Sequence, residues 1–320
     1  MAVYNTESFL EEAIDSVIDQ TFADWELICV NDESTDNSLH LLRGYENNDP
    51  RIIVIDHPHC GNASSVRNIG LNIARGRYIA MLDSDDRIES EYLEKLVHRQ
   101  LQTNADIVIA SVNPWDHKVD GICKCLTGID GDTSPIISGI DAFVLSLQWQ
   151  IAGIGLHRSE ALRKIRYCEI AMNGDEYTTR ELLLNAQTVA FCKAEYFYRS
   201  NANSTTKRFS IDHYSCAITS ARLLTLARNH NLDSNLYVRY KIGVYNSIFN
   251  QFSGYLSKRG TFDPKERLQA LSYLRQAAGI ALRELFLPAL SVRLIVTVGY
   301  NLSNLLVKKI IRLTQRILGF

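Results

Sequence analysis

The sequence predicts an α/β fold in which a mostly parallel sheet flanked by helices is followed by a helical C-terminal region. Two observations predict it. Short apolar runs ending in polar residues alternate with amphipathic stretches of about three turns from the start of the chain to about Asn113. Beyond about Arg208 the strand-like runs stop and helical spacing continues nearly to the end.

Element by element, "SFLEEAIDSVIDQT" spaces Phe9, Leu10, Ala13, Ile14, Val17 and Ile18 as one face of a helix. "WELICVND" is a continuous apolar run with a polar end, as expected of a strand buried on both faces. "STDNSLHLLRGYE" opens with capping residues and continues as a helix. "RIIVIDH" is a second strand, "NASSVRNIGLNIARG" a helix stopped by Gly76, and "RYIAMLDSDD" a third strand. "ESEYLEKLVHRQLQTN" then predicts a helix and "ADIVIASVN" a fourth strand. The span Asn113 to Pro135 is polar and irregular, and helix and strand character returns in "GIDAFVLSLQWQIAGIGLHRSEALRKI". "DEYTTRELLLNAQ" and "TVAFCKAEYFYR" form a helix–strand pair before the helical region. Ligands of such sheets sit at the carboxyl ends of strands, so "VND" and "LDSDD" should face one crevice.

Composition narrows the function. With 320 residues, 46% hydrophobic and 22% charged, the chain can bury a sizeable core, and a net charge of −2 argues against general nucleic-acid binding. Seven cysteines do not suggest a disulfide framework, and Cys123-Lys-Cys125 lacks a second Cys/His pair to complete a zinc site. "MAVYNTESFLEEAIDSV" carries acids early and no basic stretch, so the expectation is no signal peptide and a cytoplasmic setting.

Asp83, Asp85 and Asp86 occupy three of four positions behind an apolar run, where like charges repel. An Asp-x-Asp at a strand end suits a hard divalent cation, Mg²⁺ or Mn²⁺, which takes carboxylate, phosphate and water oxygens. The alternative is a solvated turn in which Asp85 or Asp86 caps the helix that follows.

In order and spacing, "VYNTESFLEEAIDSVIDQTFADWELICVNDESTDNS" followed by "GNASSVRNIGLNIARGRYIAMLDSDD" resembles the family 2 glycosyltransferases of the GT-A fold, and the likeness extends over roughly Met1 to Thr206. The resemblance implies transfer of a sugar from a nucleotide-diphosphate donor, UDP-linked in the leading reading, to a saccharide or lipid-linked saccharide, with inversion, in surface-polysaccharide assembly. Tyr4 and Asn5 then match the first nucleotide-contacting turn. Asp32 matches the aspartate that bonds the base, and Arg67 the arginine on the phosphate side. Asp83 and Asp85 match the Asp-x-Asp pair, Asp85 as the more direct metal ligand and Asp83 nearer the ribose, which leaves Asp86 to local structure. "NGDEYTTRELLLNAQTVAFCKAEYFYRS" resembles the region that carries the catalytic base. It aligns Asp175 with the family aspartate and puts Gly174 where a glutamate often stands. Asp175 is therefore the expected base, with Glu176 as runner-up. Trp149 lies where related sequences approach the acceptor, although the commoner Trp-x-Lys pattern is absent.

This reading divides the chain into a glycosyltransferase domain, 1–208, and a helical region, 209–320. The chain begins inside the "VYN" motif, and the resemblance leads one to expect the first central strand to be cut short. From Leu285 to Phe320 there is no acidic residue, while Arg293, Lys308, Lys309, Arg312 and Arg316 supply cations. In "LLVKKIIRLTQRIL", Leu306, Ile310, Leu313 and Ile317 fall opposite the basic residues, which predicts an amphipathic helix. Residues 304–320 could lie on an anionic membrane surface, making the protein peripheral on the cytoplasmic face, or pack on the protein itself. Two other classes are weighed. A phosphatase with an Asp-x-Asp nucleophile would carry the motif after its first strand, not its third. A degenerate nucleotide-sugar binder or partner subunit would keep the donor site without turnover.

Overall fold

A computed structural model describes residues 1–115, 125–199, 209–230 and 232–284. The chain forms two units, Met1–Ser210 and Ile211–Phe320.

In the first unit, β1 (Ala2–Val3), β2 (Leu27–Asp32) and β3 (Ile52–His57) make a parallel sheet in the order β1-β2-β3. Their crossovers are α1 (Glu7–Ile18) and α2 (Ser38–Asn48). Leu10, Ala13, Ile14 and Val17 of α1 are buried, as the periodicity predicts. The second helix starts at Ser38 rather than Ser34, because the backbone from Ser34 to Ser38 and its side chains are tied to the turn after β1. Asn5 N–H donates to Ser34 Oγ (3.0 Å), Thr6 N–H to Ser38 Oγ (3.0 Å) and Glu7 N–H to Asp36 Oδ2 (3.0 Å). α3 (Ala63–Ile73) follows, with Asn62 Oδ1 accepting from Ser64 N–H at 2.8 Å as its N-cap.

The second sheet is built from β4 (Tyr78–Ala80), β5 (Arg87–Ile88), β6 (Ile107–Pro114), β7 (Ile136–Ser138), β8 (Gly155–Arg158) and β9 (Thr188–Tyr198). Its order is β4-β8-β6-β9-β5, with β7 on β9. β6 and β9 pair in parallel and the other pairs are antiparallel. The helices of this half are α4 (Tyr92–Thr103), α5 (Gly139–Leu147), α6 (Ser159–Ile165) and α7 (Gly174–Asn185). Phe143, Phe191, Tyr92, Tyr196, Leu96 and Leu183 are wholly enclosed at its centre. Burial on this scale, at about 25 cal/mol per Å² of apolar surface, is what holds the layers together.

The strand expected over "RYIAMLDSDD" is shorter than its pattern. It ends at Ala80, and Asp86 N–H donates to Asp83 O (3.2 Å), so the acidic residues form a turn. The two-residue β5 then pairs with the far end of β9, at Arg87↔Phe197 and Ile88↔Tyr196. Ladder pairing of β1 with β2 covers Ala2↔Val30 and Val3↔Asn31. Beyond it, Leu27 and Ile28 of β2 and Tyr78 and Ile79 of β4 line a cavity of about 690 Å³, which Met1 and Tyr92 also border. The Met1 amine donates to Ile28 O at 2.8 Å, and burial depresses its pKa.

The second unit opens with a 3₁₀ turn, Ile211–Ser215, then α8 (Cys216–Asn229), α9 (Ser234–Lys258) and α10 (Pro264–Arg283). Asp233 caps α9 by accepting from Asn235 N–H (3.0 Å) and Leu236 N–H (3.1 Å). Tyr214, Ile218, Tyr255, Phe262, Leu271 and Leu274 form its core. The Tyr214 and Tyr255 rings meet edge to face at 6.0 Å. No helix among the described residues is long and apolar enough to cross a membrane. The amphipathic segment expected over 304–320 lies outside the described residues.

Candidate functional site

The ends of β2 and β3 and the turn after β1 gather the first group of residues. Asp32 closes β2 and is 4% exposed. Its Oδ1 accepts from Cys60 N–H at 2.6 Å, and its Oδ2 lies 2.9 Å from His59 Nδ1. The His59 ring stacks on Tyr4, with centroids 4.8 Å apart and planes inclined at 32°. Asn5 takes a left-handed backbone, φ 52°, and its Oδ1 accepts from Thr35 N–H at 2.7 Å. That conformation suits Asn, whose short polar side chain can bond locally. The structure therefore brings together Tyr4, Asn5 and Asp32, and adds His59, which the sequence reading did not single out.

The second group centres on Arg67, in the interior of α3. Its side chain is 10% exposed, with Nη2 2.9 Å from Asp83 Oδ1 and Nη1 3.2 Å from Asp175 Oδ2. Burial works against the guanidinium charge, but Asp83 and Asp175 outweigh it and hold its pKa above the ordinary value. One cation thus joins the first aspartate of Asp-x-Asp to the first turn of α7. Asp83 N–H also donates to Tyr196 Oη (3.2 Å).

Asp86 is 2% exposed and faces inward. It accepts from Tyr196 Oη–H (2.7 Å) and Arg199 N–H (2.7 Å). Burial, then the charge of Asp83, pushes its carboxyl up to about 8. Arg199 Nε donates to Asp85 O at 2.8 Å, and the same guanidinium pairs with Glu12. Tyr196 and Arg199 therefore anchor the acidic turn from the end of β9. The "YFYR" pattern is visible in the sequence, but its partner is not.

The third group lies around Arg180 of α7. Glu176 Oε1 pairs with Arg180 Nη1 (3.1 Å), and its Oε2 accepts from Asn173 Nδ2 (2.8 Å). Trp149, 61% exposed with φ 54°, sits under the Arg180 guanidinium at 4.7 Å. Trp149 is thus grouped with Glu176, and Arg67 with Asp175.

Gly174 begins α7 against the chain at Cys168. A Cβ there would lie 1.6 Å from Cys168 O and 2.7 Å from Ser64 Oγ. The position where the family resemblance puts a glutamate has no room for a side chain.

The oxygen donors of Asp83 and Asp85 have the chemistry that Mg²⁺ or Mn²⁺ requires, and Asp83 is a third exposed. Asp86, by contrast, is enclosed.

Residues 1–122 match the family model described as Glycosyl transferase family 2. That segment belongs to the family. The matched family 2 segment includes Tyr4, Asn5, Asp32, Arg67, Asp83 and Asp85, and ends before Asp175, Glu176 and Trp149. Glycosyltransferase GlyA of Streptococcus pneumoniae serotype 4 is 27% identical over 281 residues, 84% of this chain and 40% of that protein. The poly(ribitol-phosphate) beta-glucosyltransferase of Bacillus spizizenii is 37% identical over 146 residues, 45% of this chain and 22% of that protein. The chain thus spans less than half the length of these relatives. Among solved structures, S. aureus TarS 1–349 in complex with UDP-GlcNAc superposes with a TM-score of 0.67 at 20% identity, covering 86% of this chain and 79% of TarS 1–349. The fold is that of the GT-A glycosyltransferases.

Proposed function

We propose that the protein is a metal-dependent, inverting glycosyltransferase that takes its sugar from a nucleotide-diphosphate donor. The observation that carries this reading is one largely enclosed cation, Arg67, held between Asp83 and Asp175. It brings an Asp-x-Asp carboxylate and a helix-start carboxylate to one point, as a reaction with a diphosphate leaving group and a hydroxyl nucleophile requires. In this reading residues 1–208 are the catalytic domain and 209–320 a separate helical region.

Tyr4, Asn5 and Asp32 bind the nucleoside, with Asp32 accepting from the base. Arg67 faces the phosphates. Asp85 and Asp83 would hold Mg²⁺ or Mn²⁺, which when bound offsets the charge of the diphosphate. Asp175 accepts the proton of the acceptor hydroxyl as its oxygen attacks the anomeric carbon. The carbon–oxygen bond to the diphosphate breaks on the opposite face, so the anomeric centre inverts. The alignment of Asp175 with the family aspartate favours it over Glu176 as the base, and both carboxylates are ion-paired, Asp175 to Arg67 and Glu176 to Arg180. Trp149 offers an aromatic face to the acceptor sugar.

The relatives support a role in cell-surface polymer synthesis, with a saccharide or lipid-linked saccharide as acceptor. The match to a UDP-GlcNAc complex supports a UDP-linked donor. The test is a panel of nucleotide-sugars with Mn²⁺, read by release of nucleoside diphosphate on adding acceptor. One donor should turn over with metal and stop with chelator. A second reading, a nucleotide-sugar binder without turnover, is favoured by one observation: both Asp175 and Glu176 are ion-paired. It predicts donor binding with no release from any donor.

A further inference from the structure

At the carboxyl ends of β2 and β3 the ladder register sets Asp32 beside His57. The chain then turns through His57-Pro58-His59-Cys60 and brings Cys60 back over Asp32, where its N–H donates to Asp32 Oδ1 at 2.6 Å. The same turn leaves Cys60 Sγ 3.4 Å from His57 Nδ1. One donor atom from each of Asp32, His57 and Cys60 lies within 4.8 Å of the other two.

We propose that Asp32, His57 and Cys60 form a three-ligand site for a zinc-like divalent cation. A tetrahedral ion with nitrogen at about 2.0 Å and sulfur at about 2.3 Å holds those two atoms roughly 3.5 Å apart. The His57–Cys60 spacing already has about that value, and because His57 Nδ1 also donates to Pro58 O at 2.7 Å, a cation bound there must displace that proton and break that hydrogen bond. A thiolate, an imidazole and a carboxylate select zinc or cobalt over Mg²⁺ and Mn²⁺, so this site differs in kind from the all-oxygen pair Asp83 and Asp85. Asp32 is fixed by its burial and by the Cys60 N–H, while His57 and Cys60 are half-buried and reachable. His59 Nδ1 lies 2.9 Å from Asp32 Oδ2 and 3.2 Å from Asp32 O, outside the three-ligand group. Burial and the Asp32 charge push the Cys60 thiol up in the absence of metal. Binding therefore replaces a proton with the cation: the S–H bond breaks, the sulfur–metal bond forms and the proton passes to water.

One consequence rests on the reading that Asp32 accepts from the nucleobase. A cation held by that carboxylate takes it away from the base, so the metal and the nucleoside compete.

The experiment titrates the full chain with Co²⁺ and records the thiolate-to-cobalt charge-transfer band in the near ultraviolet. One equivalent should develop the band, Zn²⁺ should bleach it and Mg²⁺ should leave it. Cys60→Ser should abolish the band, and His57→Gln should weaken Co²⁺ binding by at least about 10-fold. No band in the native chain, or a band unchanged in folded Cys60→Ser, overturns the site. Uridine, which has no phosphate to chelate cobalt, separates the two readings. If bound uridine leaves the Co²⁺ affinity unchanged while the variants behave as expected, the metal site stands and the base-contact role of Asp32 falls.

Discussion

Gly174→Ala should destabilise the first unit and damage the site together. The added Cβ would lie 1.6 Å from Cys168 O, and real contacts of this kind stop near 3.0 Å, so at least 1.4 Å of displacement (3.0 − 1.6) is needed. The Cys168 segment cannot yield freely. Cys168 N–H donates to Thr178 Oγ1 (2.9 Å), Thr178 Oγ1–H donates to Gly174 O (2.9 Å), and Asn62 Nδ2 donates to Glu169 O (3.0 Å). If the segment moves, these bonds go, at about 1 kcal/mol each. If α7 moves instead, Asp175 is drawn off Arg67, from which it stands at 3.2 Å. Overpacking by itself costs about 1–3 kcal/mol, and a helix gains somewhat less than about 1 kcal/mol from Gly to Ala. The net loss should be about 3 kcal/mol, roughly a 100-fold fall in the folding constant. Urea unfolding followed by circular dichroism measures it. Gly174→Glu should be at least as damaging, although it restores the residue that the resemblance puts there. A midpoint equal to or above that of the native chain, with an unchanged slope, would refute the packing argument.

The remaining predictions concern the acidic turn, the base and a buried histidine. Asp85→Asn should lower metal-dependent turnover by about 100-fold or more; unchanged kcat would remove Asp85 from the metal site. Asp175→Asn should lower kcat by about 10²–10⁴-fold and spare donor binding, while Glu176→Gln should do much less; the reverse order in steady-state kinetics would transfer the base role to Glu176. Tyr196→Phe leaves the buried Asp86 Oδ2 and Asp83 N–H short of a partner and should cost about 1–3 kcal/mol in urea. His157, on β8, has a buried Nδ1 without a hydrogen-bond partner among the described residues, and burial lowers its pKa to about 4. The unfolded chain takes up its proton near 6.5, so stability is intact above that pH and falls between about 6.5 and 4, by about 3 kcal/mol in all. His157→Leu should flatten the pH dependence over this window; parallel curves for the two proteins would refute the assignment.

The first half of the fold was legible because β2 is buried on both faces, β3 is apolar over its first four residues and α1 buries one face. "LICVND" and "IIVIDH" are continuous apolar runs, and the Leu10–Val17 spacing is helical. The antiparallel pairings of the second sheet left no such trace. β5 has two residues and β4 three, too short for any period, and both are specified by β8 and β9, more than seventy residues away. Tyr4, Asn5 and Asp32 could be placed from their motifs, whereas His59 could not, since its partnership with Tyr4 and Asp32 arises from a turn. The family resemblance already set Asp86 apart from Asp83 and Asp85 as a residue of local structure, but did not show the contacts that hold it. Burial encloses Asp86 alone, and the contacts of Asp83 with Arg67 and of Asp86 with Tyr196 and Arg199 come from residues remote in the chain. The missing glutamate at 174 looked like a defect in the motif and is an accommodation to the backbone of Cys168.

The sharing of Arg67 by Asp83 and Asp175 has a consequence for how substitutions combine. Whichever carboxylate is removed first, the survivor keeps the whole cation, so the second removal leaves the charge with neither partner. The free energies of the two single changes should therefore not sum to that of the double, a coupling of the kind that contacting residues show at about 0.5–3 kcal/mol. Positions 83 and 175 are 92 residues apart in the chain (175 − 83), yet they constrain sequence change as a single locus, and a substitution tolerated at one depends on what already stands at the other.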